Sequence, residues 1–310
     1  MPHSSAAPSS QDCDTLDATS SPNALPCVLC FNANDPLGAG GVSSDTTVIA
    51  SMGGHALPVV TGTYLRDSRE TQGHADMDES AVAEQARLIA EDAPIQAIKV
   101  GFVGSAETLA AIAAFAADYA EAPLIAYMPD LSWWTDHDID QYLDAFRELL
   151  LPQTAVLVGN NVTLRHWLLP ESVTDRHPHA TDLARAAAEW GVSYVLVTGV
   201  PMLDDQIGNV LASPQMELLT HKFERIDAGF VGAGDILSAA LTGLLATGDS
   251  LESATAEALQ YLDEALDHGF LPGMGRAVAD RLFWADAGGA ASADSTHLQD
   301  TSDPSHETHH

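Results

Sequence analysis

The sequence predicts an α/β domain with a mostly parallel central sheet wrapped by helices. Three observations predict it. Short apolar runs alternate with longer amphipathic stretches across residues 25–285. The runs are nearly continuous in apolar residues, as in strands covered on both faces. The stretches between them are alanine-rich and spaced by polar residues at helical period. Alternation of this kind threads helices between parallel strands.

The elements follow in order. An apolar run over 26–32 reads as the first strand, and a glycine loop leads from it into a helix over 43–52. A second strand over 55–63 is followed by a helix over 80–90, then by the pairs of strand 97–102 with helix 106–120 and strand 124–127 with helix 139–150. Strand 155–158, helix 181–190 and strand 194–198 continue the alternation. The stretch 213–226 alternates apolar and polar residues, the period of further sheet strands. Helices over 235–246, 251–268 and 275–284 close the domain. Residues 1–24 are rich in Ser, Ala, Pro and Asp, and residues 286–310 in Ser, Thr, Asp and His. Neither end has an apolar period, so both read as disordered tails on one domain spanning 25–285.

The charge balance excludes some partners. The chain has 44 Asp and Glu against 12 Lys and Arg, a formal charge of −32. Only eight of those acids (Asp12, Asp14, Asp17, Asp286, Asp294, Asp300, Asp303 and Glu307) lie in the tails, so the core itself is strongly acidic. Such a surface repels nucleic acid and anionic membranes. Three cysteines are present, and Cys27 and Cys30 share one strand with an offset that points them to opposite faces. They read as structural thiols without disulfides, which fits a reducing compartment. The absence of an apolar run long enough for a membrane span or a signal peptide leads to a cytoplasmic expectation. His306, His309 and His310 read as part of a solvated tail.

Ligands of such folds sit beyond the carboxyl ends of the strands. Four loops there carry the signal: 34–41 with its Gly38-Ala39-Gly40-Gly41 run, Gly101, Gly159-Asn160-Asn161, and Thr198-Gly199. The most informative run is Phe230-Val231-Gly232-Ala233-Gly234-Asp235, directly before an apolar helix. N–H groups at a helix N-terminus hold anions, and glycine lets the backbone come close to one. A carboxylate at the same place can take a proton from an attacking hydroxyl, so the combination points to phosphoryl transfer to an alcohol. By itself the run is also a tight turn with an Asp cap.

Taken together, the motifs resemble those of the hydroxymethylpyrimidine/phosphomethylpyrimidine kinases of the ribokinase superfamily. Residues 34–45 resemble the family's G-x-D-x-S-G-G-A-G-I-Q-A-D, and Ile98-Lys99-Val100-Gly101-Phe102 resembles its K-I-G-M. Leu150-Leu151-Pro152 before 156–160 resembles L-L-P…T-P-N, and 232–241 resembles G-T-G-C/D-x-L-S-A-A-L. His268-Gly269 and Pro272-Gly273-Met274-Gly275 resemble the closing segment, and the match spans roughly residues 26–284 in collinear order. The resemblance implies a three-layer α/β/α ribokinase-like fold, a homodimer, ATP with Mg²⁺, and a small vitamin precursor as acceptor. Family members phosphorylate hydroxymethylpyrimidine for thiamine synthesis, and close relatives act on pyridoxal or pyridoxine.

By the same resemblance Asp235 stands at the family's base, with the N–H groups of Gly232, Ala233 and Gly234 as an anion hole. Asn160 matches the Asn of T-P-N, and Thr198-Gly199 falls on K-G-G-H at the nucleotide end. Asp35, Gly40 and Asp45 would face the acceptor, with Tyr64, Arg66 and Phe102 at acceptor-pocket positions. The departures are specific. The pyrimidine branch usually has Cys where Asp235 stands, the Glu of N-x-x-E is Thr163, and the phosphate-facing Lys is Thr198. The strand-end D-P-V-M is unrecognisable in 126–130, where Asp130 is a shifted substitute. Arg66 replaces a pocket Gln and, as a donor only, reads either as a partner for an anionic acceptor or as a solvated loop residue. These losses leave a second reading, a non-catalytic pyrimidine- or nucleotide-binding relative. Three further features read as ordinary structure: Lys99 as a packed, paired strand lysine, Trp133-Trp134 as a lid or surface cluster, and Asp136-His137-Asp138 as a solvated helix start.

Overall fold

The structure is a computed structural model that describes residues 24–134, 138–170, 178–226 and 228–285. Both expected tails therefore lie almost wholly outside the described residues, as do Cys13, Asp136, His137 and the terminal histidines.

A nine-stranded sheet runs through the molecule in the order β3-β2-β1-β4-β5-β6-β7-β8-β9. Its parallel centre comprises β1 (Cys27–Asn34), β2 (His55–Arg66), β4 (Ala97–Val100), β5 (Leu124–Met128), β6 (Thr154–Asn160) and β7 (Tyr194–Pro201). Antiparallel strands flank it: β3 (Thr71–Asp76) on β2, and the meander of β8 (Gln206–Ala212) and β9 (Glu217–Glu224) on β7. Helices cover both faces. On one lie α2 (Glu79–Asp92), α3 (Ala106–Ala117), α4 (Asp138–Ala145), α5 (Asn161–Leu168) and α6 (Ala180–Ala188). On the other lie α1 (Gly41–Ser51), α7 (Ala233–Thr247) and α8 (Leu251–Asp267). This is the three-layer arrangement that the alternation predicts.

The period of two sorts side chains between the two cores. Along β1, Leu29, Phe31 and Ala33 join the core under α2–α6, and Val28 and Cys30 join the core under α1, α7 and α8. Asn32 and Lys99 fall on the α1/α7 face by the same alternation, each a polar residue in an apolar strand. Cys27 packs on the first core and Cys30 in the second, both as free thiols on opposite faces. The α7 helix is buried from Asp235 to Leu244, as its nearly uniform apolar sequence requires.

Three expectations change, and one strand, β3, was not expected. The segment 275–284 is not a long helix, because its backbone donors go elsewhere. Ala277 N–H donates to Gly229 O (2.9 Å) and Val278 N–H to Phe270 O (2.9 Å), and β11 (Ala277–Val278) pairs in parallel with β10 (Phe230–Val231). The helix expected over 139–150 stays α-helical to Ala145 and then loosens into a π turn, Phe146–Leu150, before Pro152. Proline has no N–H to continue it. The β3 strand, Thr-Gln-Gly-His-Ala-Asp, carries no apolar alternation and is held by the hairpin turn in which Asp67 accepts from Arg69 N (2.7 Å) and Glu70 N (3.0 Å). The loop expected at 159–161 opens helix α5, with the Asn160 side chain capping Val162 N at 2.9 Å.

Candidate active site

Two helix N-termini meet at the carboxyl edge of β1 and β4. The loop after β1 is shaped by Asp35, whose carboxylate accepts from Leu37 N (3.0 Å), Ala39 N (3.1 Å) and Gly40 N (2.8 Å). That loop touches the start of α7. Gly232 has φ of 85°, and a Cβ there would lie 2.0 Å from the Ala39 carbonyl oxygen. Only glycine fits both the left-handed conformation and the contact.

Asp235, in the first turn of α7, faces a buried polar network. Its Oδ1 accepts from Lys99 Nζ (2.9 Å) and Asn32 Nδ2 (2.8 Å), and its Oδ2 from Gly41 N (3.3 Å). Lys99 also bonds to Asp45 Oδ1, and Asn32 Nδ2 reaches Asp45 Oδ2 at 3.0 Å. Lys99 and Asp45 are wholly buried. The Asp235 side chain keeps 10% exposure and opens onto the cleft.

The charges set the protonation states. Burial pushes the Asp235 carboxyl up, but Lys99, Asn32 and the Gly41 N–H outweigh it and hold the acid below its ordinary range. Burial alone would lower Lys99, yet the two carboxylates keep it firmly protonated. Asp45, wholly buried and repelled by Asp235, is pushed up to about 6 although Lys99 opposes the rise. Its raised value makes a stabilising contribution that is complete below about pH 4 and lost as pH rises through about 6. The expected result is that Asp45→Asn removes a fall in stability between about pH 4 and 6. Urea unfolding of both proteins across that window checks it, and parallel profiles would remove the assignment.

The cleft above Asp235 has a volume of about 890 Å³. Its floor is the run Gly232, Ala233, Gly234, Asp235, where the first N–H groups of α7 lie beyond the helix ladder. Tyr127, at the end of β5, packs its ring on Gly234, where a Cβ would come 2.3 Å from the ring. Burial, Asp235 and Asp130 push the Tyr127 phenol well up, so it stays a neutral donor. Asn160 and Thr198, paired in register across β6 and β7, line the far end. Gly199 adjoins them with φ of 70° but does not line the cleft.

The acceptor-facing expectations divide. Tyr64 and Arg66 line the cleft. Asp35 and Gly40 sit behind it, shaping the loop. Asp45 has no exposure and is turned to Lys99, so it cannot touch an acceptor. Phe102 is 2% exposed and stacks beneath Tyr64 at 5.0 Å. Trp133 and Trp134 form no surface lid: they stack at 5.9 Å, pack with His74 and Phe102, and line the cleft. Lys99 is packed and paired, as expected of it. Asn32, Tyr127 and Arg276 escaped the sequence reading. For Asn32 the available signal was a polar residue inside the apolar run of β1.

Among the described residues no group of three or more His, Cys, Asp or Glu is placed to hold a metal, and no helix is long and apolar enough to cross a membrane.

The family model described as phosphomethylpyrimidine kinase matches residues 35–280. A hydroxymethylpyrimidine/phosphomethylpyrimidine kinase of Streptomyces coelicolor is 28% identical over 270 residues, covering 86% of this chain and 97% of that one. The thiamine biosynthesis multifunctional protein ThiED of Corynebacterium glutamicum is 27% identical over 252 residues, covering 80% of this chain and 32% of its own length. Among solved structures, an ADP complex of Bacillus subtilis pyridoxal kinase superposes with a TM-score of 0.74 at 18% identity, covering 84% and 99% of the two chains.

Proposed function

The chain belongs to the phosphomethylpyrimidine kinase family, and on that premise we propose that it transfers the γ-phosphoryl group of ATP to the hydroxymethyl group of hydroxymethylpyrimidine, a step of thiamine synthesis. The observation that carries the reading is a carboxylate, Asp235, paired with Lys99 at the N-terminus of a buried helix and at the floor of a cleft.

In this reading Asp235 accepts the proton of the attacking hydroxyl. Its low proton affinity suits the chemistry, because phosphoryl transfer depends mainly on positioning and charge stabilisation. Lys99 and Asn32 hold the carboxylate through Oδ1, and Oδ2 accepts from Gly41 N. The N–H groups of Gly232, Ala233 and Gly234 stabilise charge on the transferring group. Asn160 and Thr198 take the nucleotide end, with Gly199 behind them shaping the strand end.

The donor set fits a nucleotide phosphate at the start of α7. It fits Mg²⁺ bound chiefly through phosphates and water, since Mg²⁺ sites commonly use one or two carboxylates. Asp130 is the cleft carboxylate outside the Lys99 network. ATP supplies the phosphoryl group, and Mg²⁺ would neutralise its charge. A homodimer belongs to the same proposal.

ATP-dependent ADP formation against hydroxymethylpyrimidine, pyridoxal and pyridoxine tests the reading. Acceptor-dependent turnover is the expected result. No turnover with any of the three would end it.

A further inference from the structure

Gly232 and Gly234 are glycines for different reasons. Gly232 holds a left-handed backbone, whereas Gly234 lies in the first turn of α7 with φ outside that region. What forbids a side chain at 234 is Tyr127. A Cβ on Gly234 would lie 2.3 Å from both Cζ and the hydroxyl oxygen of Tyr127, and 2.4 Å from Cε2. The space that another residue would fill is taken by the phenol end of one tyrosine.

Strand β5 delivers that phenol. Its alternation puts Ile125 and Tyr127 on the α7 face, while Leu124, Ala126 and Met128 join the other core. Tyr127 is half-buried and lines the cleft at the strand's end. Tyrosine hydroxyls that are packed against protein usually find a partner. This one makes no hydrogen bond among the described residues. Its neighbour Asp235 already accepts from Lys99, Asn32 and Gly41. A free donor thus lies against the last glycine of the anion hole and borders the cleft. Burial and the nearby carboxylates keep the phenol protonated, so it brings no negative charge to a phosphate.

We infer that Tyr127 is a further catalytic residue, whose hydroxyl donates a hydrogen bond to a non-bridging oxygen of the transferring phosphoryl group. The inference rests on the kinase reading and deepens it by adding a side-chain donor to the backbone anion hole. The acceptor oxygen bonds to the γ-phosphorus as the bond to the β,γ-bridging oxygen breaks. That electron pair leaves on ADP, and the hydroxyl proton goes to Asp235. Tyr127 keeps its own proton throughout.

Tyr127→Phe keeps the ring against Gly234 and removes only the hydroxyl. Turnover of hydroxymethylpyrimidine with Mg·ATP is measured in the wild type and the variant. Calorimetry gives the affinity for Mg·ADP alone and with fluoroaluminate, a mimic of the transferring phosphoryl group. The variant is expected to lose about a hundredfold in kcat at unchanged acceptor KM, with a melting temperature within about 2 °C of the wild type. Fluoroaluminate is expected to tighten Mg·ADP binding in the wild type, and by about tenfold less in the variant. A kcat within about threefold of the wild type, a loss confined to KM, or an equal fluoroaluminate effect in both proteins would overturn the inference. A melting temperature lower by about 10 °C would assign the hydroxyl to the fold and overturn it as well. If the wild type turns over no acceptor, the fluoroaluminate comparison decides. A weaker effect in Tyr127→Phe supports the donor while the acceptor reading fails, and no effect in the wild type overturns the inference.

Discussion

Asp235→Asn is expected to lower kcat by about a thousandfold and to leave the fold in place. Asparagine keeps the shape and can still accept from Lys99 and Asn32, and Lys99 retains Asp45 as its counter-charge. What disappears is the acceptor for the hydroxyl proton. The anion hole at the start of α7 is backbone and survives the substitution, so a residual rate remains. KM for the acceptor should change little, because Asp235 reaches the cleft by only a tenth of its side chain. A variant within about tenfold of the wild type would take the aspartate out of the chemistry.

Lys99→Met is expected to be strongly destabilising. It removes the one ammonium between two carboxylates, both within hydrogen-bond reach of it and both buried. Stripping the partner from a buried ion pair costs about 3–5 kcal/mol, or roughly 10 °C of melting temperature for a domain of this size. The cause is electrostatic, so it has a specific remedy. Adding Asp45→Asn removes one of the stranded charges and should recover about 1–2 kcal/mol. Thermal and urea unfolding of the single and double variants measure both effects. A double variant no more stable than Lys99→Met would mean that lost packing, not charge, is responsible.

The parallel centre of the sheet was legible because β1 and β4–β7 are covered on both faces and read as unbroken apolar runs. β3 was not, since its six residues are polar and only a turn and its partner strand make it a strand. The closing segment misled for a related reason. Ala277, Val278 and Ala279 look helical in isolation, and their burial comes from pairing with β10 and the end of α8. In the site, Asp235 and its glycines were legible because they are contiguous. The network behind them was not. Lys99 reads as a paired lysine from its apolar neighbours, but its partners stand 54 and 136 residues away in the chain. Asp45 falls in the acceptor-facing motif by sequence order, and helix α1 turns it inward instead. Tyr127 and Arg276 become visible only when β5 and the closing segment are brought to the cleft.

Single-turnover phosphorylation of hydroxymethylpyrimidine by the wild type and Asp235→Asn, with acceptor affinity measured separately, bears most directly on the role of Asp235. The expected outcome is a phosphate monoester formed by the wild type and a chemical step slowed by about a thousandfold in the variant at unchanged acceptor affinity. Equal chemical rates, or a loss confined to acceptor binding, would contradict it.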